Sequence, residues 1–294
     1  MGKAIEIKEI CKSFGEKKVL DGISFSVENG EIFGLLGPSG AGKTTLIRIL
    51  TGQLKGERGE ALVNGINSSE LTGRECRQFG IMMDDFGLYE RLSCFDNLKV
   101  FAGIYGIGKS RIYEVLEAVG LGNSVKKAAS ELSKGMSSRL RLARVLLHNP
   151  DILFLDEPTS GLDPLMQKEF FDILKERHSG GATIFLSSHV LSEIQKNCSR
   201  AAIIKEGKLI ALDSVENLSK TSAKRVVLHG VNVVPENISA KSVEQSDDSV
   251  SFLYNGSIKD LLGIANNLPI YDMTITEPDL EEIFMHYYEK GGEN

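Results

Sequence analysis

The sequence predicts an α/β domain with a mostly parallel sheet, followed by a small α+β domain. Residues 152–155 form an uninterrupted apolar run, and residues 183–186 are apolar after Thr183; such runs are typical of strands buried on both faces of a parallel sheet. Apolar residues at helical spacing lie between these runs and before them. Strands that alternate with helices indicate an α/β fold, and we expect antiparallel strands at one side of it.

The first part of the chain, residues 3–27, mostly alternates between apolar and polar side chains. With a turn at Gly15, this pattern predicts antiparallel strands at the edge of the sheet. A second hairpin is expected where an Asn-Gly turn follows the apolar residues 61–63. Residues 201–212 predict a third hairpin, which closes at Gly207.

Helical spacing is clearest between residues 88 and 129, and it returns between residues 137 and 147. In the first of these regions, Gly103, Gly106 and Gly108 separate two apolar clusters. Because glycine interrupts helices, we expect one helix on each side of these glycines. A crossover helix should join the two buried strands.

A polar segment of small residues at 219–224 marks a domain boundary, so we expect domains at 1–218 and 219–294. The apolar pattern of the second domain predicts a ββαβα module, with a final helix that begins at residues 276–279. At roughly 75 residues, its own core would be only marginally stable. We therefore interpret it as a packing or dimer-stabilising appendage rather than a substrate sensor.

Residues 37–45 are the most informative stretch, because they have the spacing Gly-x-x-x-x-Gly-Lys-Thr between a predicted strand and a predicted helix. This context is the one that a phosphate-binding loop requires. Glycines let backbone N–H groups surround an anion, the helix start adds partial positive charge, and Lys43 adds a full charge. Thr44 can ligate Mg²⁺. The expected nucleotide-binding residues are Gly37, Pro38, Ser39, Gly40, Ala41, Gly42, Lys43, Thr44 and Thr45.

Acidic residues and a histidine follow the two buried strands. Asp156 can hold Mg²⁺, and Glu157 can polarise the water that attacks a γ-phosphate. Two acids after an apolar run are commonly a solvated turn, but the upstream phosphate-binding loop favours the catalytic interpretation. His189 ends the next strand, whose carboxyl end should lie beside that loop. We expect Lys43, Glu157 and His189 to be catalytic.

The segment Leu132-Ser133-Lys134-Gly135-Met136 resembles the Leu-Ser-Gly-Gly-Gln signature of the ATP-binding cassette (ABC) family. Residues 160–163 match the family's D-loop, and Phe14 falls where an aromatic ring stacks on adenine. Together with the phosphate-binding loop and the residues that follow the two buried strands, six motifs occur in the family's order. The resemblance covers residues 3–218. It implies a P-loop NTPase cassette with a RecA-like core, an antiparallel β subdomain and an α-helical subdomain.

The resemblance also implies a second anion site, made by the Ser133 hydroxyl, the Gly135 amide and a helix N-terminus. In the family this site faces the γ-phosphate held by another subunit, and Asp163 belongs to the same contact region. Two ATP molecules would then lie between two head-to-tail chains. The partner would be a second copy of this chain or a related ABC subunit.

Two departures from the family pattern concern the signature and the Q-loop. Lys134 and Met136 replace a glycine and the glutamine of the signature, whereas Ser133 and Gly135 remain. Asp84 stands in the place of the Q-loop glutamine. Its oxygen can still reach Mg²⁺ or water, but aspartate is shorter than glutamine and charged, so either the metal geometry or the coupling between hydrolysis and partner movement would differ. The expected metal ligands are Thr44, Asp84 and Asp156.

Composition indicates where such a protein would act. The formal net charge of −6 argues against a general nucleic-acid-binding surface, and we expect no nucleic-acid partner. The chain lacks a spanning-length apolar run and a signal-peptide pattern, and its four cysteines have no metal-like spacing. We expect free thiols in a cytoplasmic protein, held at the inner face of the membrane through a permease.

The expected function is ATP hydrolysis that powers an ABC exporter through a separate membrane permease. Residues 276–284 are similar to tails in multidrug and antimicrobial-peptide exporters of the lantibiotic or bacitracin type. Residues 85–97 would contact the permease through Phe86, Tyr89 and neighbouring apolar side chains. Two alternatives remain, a soluble ABC ATPase of the translation-factor type and a weakly hydrolysing regulatory subunit.

Overall fold

The computed structural model describes residues 2–83, 87–220, 224–235 and 237–276, with only the backbone described at 219 and 220. Contacts divide the chain into two compact units, Met1–Leu212 and Asp213–Asn294. The predicted boundary after Leu218 falls within a short helix, Val215–Lys220. Each unit is described by itself below.

The first unit is built on a six-stranded sheet with the strand order β10-β9-β3-β8-β7-β6. Neighbouring strands from β9 to β6 run parallel, which confirms the predicted α/β fold. The predicted hairpin at 201–212 forms β9 and β10. The strands are β3 (Ile32–Leu36), β6 (Phe79–Met82), β7 (Ile152–Asp156), β8 (Thr183–Ser188), β9 (Arg200–Lys205) and β10 (Lys208–Ser214).

Central strands of this sheet are apolar along their length because helices or the other sheet cover both faces. Every residue of β3 and β8 is buried. Phe33 and Phe185 stack on Phe25 of the neighbouring sheet, with ring centroids 5.2 Å and 6.4 Å from Phe25. The aromatic contacts join the two sheets into one core.

The N-terminal strands form a sheet of their own, with the order β2-β1-β4-β5, rather than the edge of the parallel sheet. The expected antiparallel pairing and the hairpin after residues 61–63 are both present. Alternation reveals that one face is buried, but it does not say which sheet a strand joins. The strands are β1 (Lys3–Phe14), β2 (Lys17–Glu28), β4 (Arg58–Val63) and β5 (Ile66–Asn67).

Helices flank the parallel sheet and form a separate helical region between β6 and β7. The predicted helix break occurs at Gly106, which ends α2 with φ 70°, and at Gly108, which precedes α3. Gly103 was expected in this break but lies inside α2. The helices are α1 (Lys43–Leu50), α2 (Cys94–Tyr105), α3 (Lys109–Ala118), α4 (Lys134–Leu146), α5 (Pro164–Ser179) and α6 (Leu191–Asn197).

The second unit contains a four-stranded antiparallel sheet with the order β12-β13-β11-β14. Its core includes Val226, Val250, Phe252 and Leu261. The predicted ββαβα pattern omitted β12, because that strand is mostly exposed and polar. The predicted final helix lies outside the described residues. The elements are α7 (Val215–Lys220), β11 (Lys224–His229), β12 (Ala240–Gln245), β13 (Ser249–Tyr254), α8 (Ile258–Ala265) and β14 (Asp272–Thr276).

All four cysteines carry free thiols, as the sequence predicted. In the described part of the chain, no helix has both the length and the apolar character needed to cross a bilayer.

Candidate functional site

The phosphate-binding loop lies between the end of β3 and the first turn of α1. Its anchor is Lys43, a lysine with only 5% of its surface exposed. The ammonium nitrogen donates to the carbonyl oxygens of Gly37 at 2.6 Å and Pro38 at 3.0 Å. Lys43 thereby closes the loop on itself, with its charge at the N-terminus of α1.

Two glycines of the loop are required by close backbone contacts. A Cβ at Gly37 would lie 2.5 Å from the carbonyl oxygen of Ile204, and one at Gly42 would lie 2.8 Å from that of Val19. Gly42 also has φ 104°, a conformation that side chains disfavour. The loop is therefore packed against both β9 and β2, which fixes its shape.

Thr44 lies beside the carboxylate that ends β7. Its hydroxyl donates to Asp156 Oδ2 at 2.6 Å, and the Ser187 hydroxyl donates to Asp156 Oδ1 at 2.5 Å. The Ser187 oxygen in turn accepts from the Glu157 amide at 3.0 Å. The start of α1 and the end of β8 thus both contact the carboxylate at the end of β7, at the carboxyl edge of the sheet.

Glu157 joins the two other predicted catalytic residues. Its Oε1 lies 3.0 Å from the Lys43 ammonium, and its Oε2 accepts a hydrogen bond from His189 Nδ1 at 2.9 Å. Burial by itself would raise the pKa of Glu157, but Lys43 and His189 outweigh it and hold that pKa below its usual value. Glu157 is therefore a carboxylate at neutral pH, engaged by a lysine and a histidine.

The edge of the sheet brings these groups together as predicted. Leu36 of β3 is paired with Ser188 of β8, so His189 follows directly beside the phosphate-binding loop. The Gly37 amide donates to the Ser188 carbonyl at 3.2 Å. Lys43, Thr44, Asp156, Glu157 and His189 thus form one contiguous cluster, linked by Ser187.

The segment Leu132–Met136 lies at the start of α4. The Ser133 hydroxyl accepts from the Met136 amide at 3.3 Å and caps this helix. Gly135 is buried against the Met166 thioether, and the Lys134 ammonium lies against Gly161. Within the described residues, neither Ser133 nor Gly135 hydrogen-bonds to the phosphate-binding loop.

Residues 20–160 match the family model described as ABC transporter. The bacitracin transport ATP-binding protein BcrA of Bacillus licheniformis is 35% identical over 301 aligned residues, which cover 97% of each chain. The chain belongs to the ABC transporter family.

Other similar proteins are also named as transport ATP-binding proteins. The probable multidrug ABC transporter ATP-binding protein YbhF of Escherichia coli K12 is 41% identical over 74% of this chain, which spans 38% of the length of YbhF. The lantibiotic transport ATP-binding protein SrtF of Streptococcus pyogenes is 37% identical, with 74% of this chain and 94% of SrtF covered. The predicted resemblance to multidrug, bacitracin and lantibiotic members is confirmed.

A solved structure of the ATP-binding subunit of an ABC transporter has the same fold. Its TM-score is 0.67 at 28% identity, and the match covers 74% of this chain and 92% of that one. The predicted cassette fold is confirmed, with the parallel core, the antiparallel sheet and the helical region all present.

The donor set around Thr44 fits Mg²⁺. A hydroxyl and a carboxylate oxygen in contact are hard ligands, and Mg²⁺ commonly takes one or two carboxylates together with substrate phosphates. Among the described residues, no group of three or more His, Cys, Asp or Glu side chains could hold a metal by itself. Thr44 and Asp156 would therefore hold the ion jointly with a nucleotide.

The remaining predicted site residues either lie on other described elements or fall outside the described chain. Asp163 caps α5, because its Oδ1 accepts from the Met166 amide at 3.0 Å. Phe14 ends β1 with a half-exposed ring, and the Lys12 ammonium lies 5.3 Å from its centroid. Asp84, the proposed Q-loop residue, and Phe86 lie outside the described residues.

A groove separates the sheet from the helical region of this cassette. Its volume is about 560 Å³, and apolar or aromatic side chains dominate its lining. The Tyr105 ring stacks on His148 with centroids 4.1 Å apart, and burial lowers the pKa of His148. Other lining residues are Phe79, Ile81, Tyr89 and Phe101.

Neither Ser187 nor the groove was predicted from the sequence. The two serines before His189 were visible, yet serines at a strand end commonly face solvent. Only the pairing of β7 with β8 shows that Ser187 lies between Asp156 and Glu157. The groove is formed by segments distant in sequence, which no local pattern identifies.

Proposed function

We propose that this chain is the ATP-binding and ATP-hydrolysing subunit of an ABC exporter, and that a separate membrane permease forms the pathway. The observation that carries the proposal is the contact cluster of Lys43, Thr44, Asp156, Glu157 and His189 at one edge of the sheet. These residues supply an anion-binding loop, hard oxygen ligands and a carboxylate base within one site.

Lys43 holds the loop in the shape that a triphosphate needs. The ammonium contacts two loop carbonyls and Glu157. A bound triphosphate competes for the same ammonium with a larger negative charge. Lys43 then turns from Glu157 towards the β- and γ-phosphates, and Glu157 is released to act on water.

Hydrolysis requires a base and a group that orients the attacking water. Glu157 accepts the proton or polarises the water, and Mg²⁺, held by Thr44 and Asp156, would neutralise charge that develops on the phosphates. Because His189 Nδ1–H donates to Glu157, Nε2 of a neutral His189 is an acceptor. A hydrogen bond from water to this nitrogen suits that tautomer.

The nucleotide site is completed by a second subunit in our proposal. Ser133 is exposed at the N-terminus of α4, where a hydroxyl and helix amides can receive a phosphate from another chain. The Met166 thioether lies on the side of Gly135 where a Cβ would stand, so this position favours glycine. Asp163 and the signature segment would then face the partner's phosphate-binding loop.

The groove beside the helical region is the proposed contact for the permease. Tyr89 lines it with 51% of its surface exposed, within the segment that was expected to contact this partner. The relatives named for multidrug, bacitracin and lantibiotic transport support an export role. They also favour transport over the translation-factor and regulatory alternatives. The chain would work at the inner face of the membrane, bound to the permease.

A turnover measurement tests this function. The purified chain should hydrolyse ATP in a Mg²⁺-dependent manner, and its co-purifying permease should change the rate. Lys43→Ala should lower turnover by at least about 100-fold, since it removes the charge that holds the phosphates. Lys8→Ala is the control, because Lys8 forms only an exposed ion pair with Glu60. Wild-type turnover in Lys43→Ala would contradict the assignment.

A further inference from the structure

A buried glutamate lies behind the Glu157–His189 pair. Glu193 belongs to the first turn of α6 and is only 8% exposed. Its Oε1 accepts from the Thr159 hydroxyl at 2.8 Å, and its Oε2 accepts from the Ser188 hydroxyl at 2.6 Å. Both carboxylate oxygens are therefore used, and each holds a different segment of the site.

The two hydroxyls flank the proposed reacting groups in sequence. Thr159 follows Glu157 by two residues, and Ser188 directly precedes His189. Thr159 and Ser188 are 1% and 2% exposed, so water does not replace the carboxylate as their partner. Hydrogen bonds from buried hydroxyls to a carboxylate are charge-assisted, and they hold the two segments together more strongly than neutral ones would.

The backbone at Glu157 needs such support. Its φ is 44°, in the left-handed region that non-glycine residues rarely occupy. Local hydrogen bonds keep the turn closed, from the Ser160 amide to the Glu157 carbonyl and from the Leu162 amide to the Thr159 carbonyl. Strained conformations persist only where the surroundings hold them, and Glu193 adds a further side-chain link between this turn and β8 to the one made by Ser187.

The same turn leads to the proposed subunit contact. It runs on through Leu162 to Asp163, which caps α5. Thr159 and Glu193 therefore connect the segment that includes Asp163 with the residue before His189. Glu193 thus joins the segments that carry Glu157 and His189 through contacts with their neighbours.

We propose that Glu193 is a positioning residue, which holds Glu157 and His189 at reacting distance by binding Thr159 and Ser188 together. This inference rests on the proposed ATPase function. It differs from a purely structural role, because it predicts loss of turnover in protein that is folded and still binds ATP.

The test measures kcat, the KM for ATP and the nucleotide-free Tm of the full chain. Glu193→Ala should lower kcat by about 10- to 100-fold, because small misplacements of reacting groups have effects of this size. The KM should change less than about twofold, since the phosphate-binding loop is intact. Glu193→Gln retains one acceptor and should restore most of the lost kcat.

Glu31→Ala is the matched control. Glu31 is also 8% exposed and lies in the same unit, but it pairs with Arg200 directly before β3, at the opposite edge of the sheet from the cluster. Its removal should lower the Tm and leave kcat unchanged. A Glu193→Ala variant that behaves in the same way would overturn the inference.

Milder variants decide the question if Glu193→Ala does not fold. Thr159→Val keeps the shape of the side chain and removes the hydroxyl, so kcat should fall with an unchanged KM. Ser188→Ala removes the other hydroxyl, and the two changes together should cost less than the product of the two single effects, because both act through Glu193. Wild-type kcat in Thr159→Val, or fully multiplicative effects, would contradict the inference. Absence of ATP turnover in the wild type would instead refute the proposed function, and this inference with it.

Discussion

At the scale of single residues, Glu157 combines a strained backbone with an unusual set of partners. A left-handed φ costs a non-glycine residue about 1–2 kcal/mol. The Lys43 ammonium, the His189 ring and the Ser187 hydroxyl surround this residue and offset the cost. Because the lysine favours the charged carboxylate, part of the stability of the fold depends on the ionisation of Glu157.

Acid should reveal this dependence. A lowered folded-state pKa contributes stability that is complete above the ordinary value of 4.5 and is lost as the pH falls through the lower folded value. We therefore expect the wild type to lose its stability advantage over Glu157→Gln as the pH falls below 4.5. Urea unfolding at a series of pH values measures this difference.

An exposed carboxylate provides the control for the change in charge. Glu60→Gln removes the negative charge of a side chain that is 46% exposed and lies on the antiparallel sheet. If the gap between wild type and Glu157→Gln stayed constant down to pH 3, the ion pair with Lys43 would not stabilise the fold.

Residue spacing predicted most of the cluster, because the motifs end neighbouring strands. An apolar run comes before each of the segments that carry these residues, and it places Lys43, Asp156, Glu157 and His189. The partners that support them were not predictable in this way. Glu193 binds Thr159 and Ser188 through tertiary contacts that no spacing in the sequence encodes.

At the scale of elements, two helices begin with the same type of cap. Ser93 caps α2 by accepting from the Asp96 amide at 3.0 Å, and Ser133 caps α4 by accepting from the Met136 amide at 3.3 Å. Each cap should contribute about 1 kcal/mol to the stability of its helix. Of these two helices, only α4 begins at the second anion site, which is the proposed contact with the partner's nucleotide.

This pair of caps separates stability from function. Ser93→Ala and Ser133→Ala should lower the free energy of unfolding by similar amounts, about 1 kcal/mol each. Ser133→Ala should in addition lower ATP turnover by about 10-fold or more, as expected for a lost charge-stabilising contact. Parallel unfolding and ATPase assays check this, and equal turnover in the two variants would refute a phosphate contact at Ser133.

Element type was predictable where burial gives a clear pattern. The runs that became β7 and β8 are apolar because both faces of the sheet are covered. Strand β12 shows the opposite case, since five of its six residues are exposed and its sequence lacks an apolar face. The alternating pattern alone placed the antiparallel strands at the edge of the parallel sheet, because the pairing of β1 with β4 joins strands that are distant in sequence.

At the scale of the whole molecule, the described residues include one hydrophobic cluster in each unit, and these two clusters have no residue in common. One lies around Phe33 and Phe185 in the first unit, and the other around Phe252 in the second. Both Phe185 and Phe252 are fully buried. The two units should therefore respond separately to loss of packing.

Matched truncations test this separation. Phe252→Ala and Phe185→Ala should each cost about 3–5 kcal/mol in the unit that loses the ring. We expect Phe252→Ala to lower the unfolding temperature of the second unit while ATP binding survives. Phe185→Ala should impair ATP binding, because the ring lies under the sheet that carries the site. Calorimetry with nucleotide titration measures both, and loss of ATP binding in Phe252→Ala would contradict independent cores.

The most direct test of the complete account mixes two impaired variants. In the proposed dimer, Lys43 of one chain and Ser133 of the other serve the same nucleotide. A mixed dimer of Lys43→Ala with Ser133→Ala then contains one site without either defect. An equal mixture should regain ATPase activity, up to about a quarter of the wild-type rate if the chains exchange freely and the sites act independently. If the mixture is no more active than the average of its components while the chains demonstrably exchange, the nucleotide is not shared between two subunits.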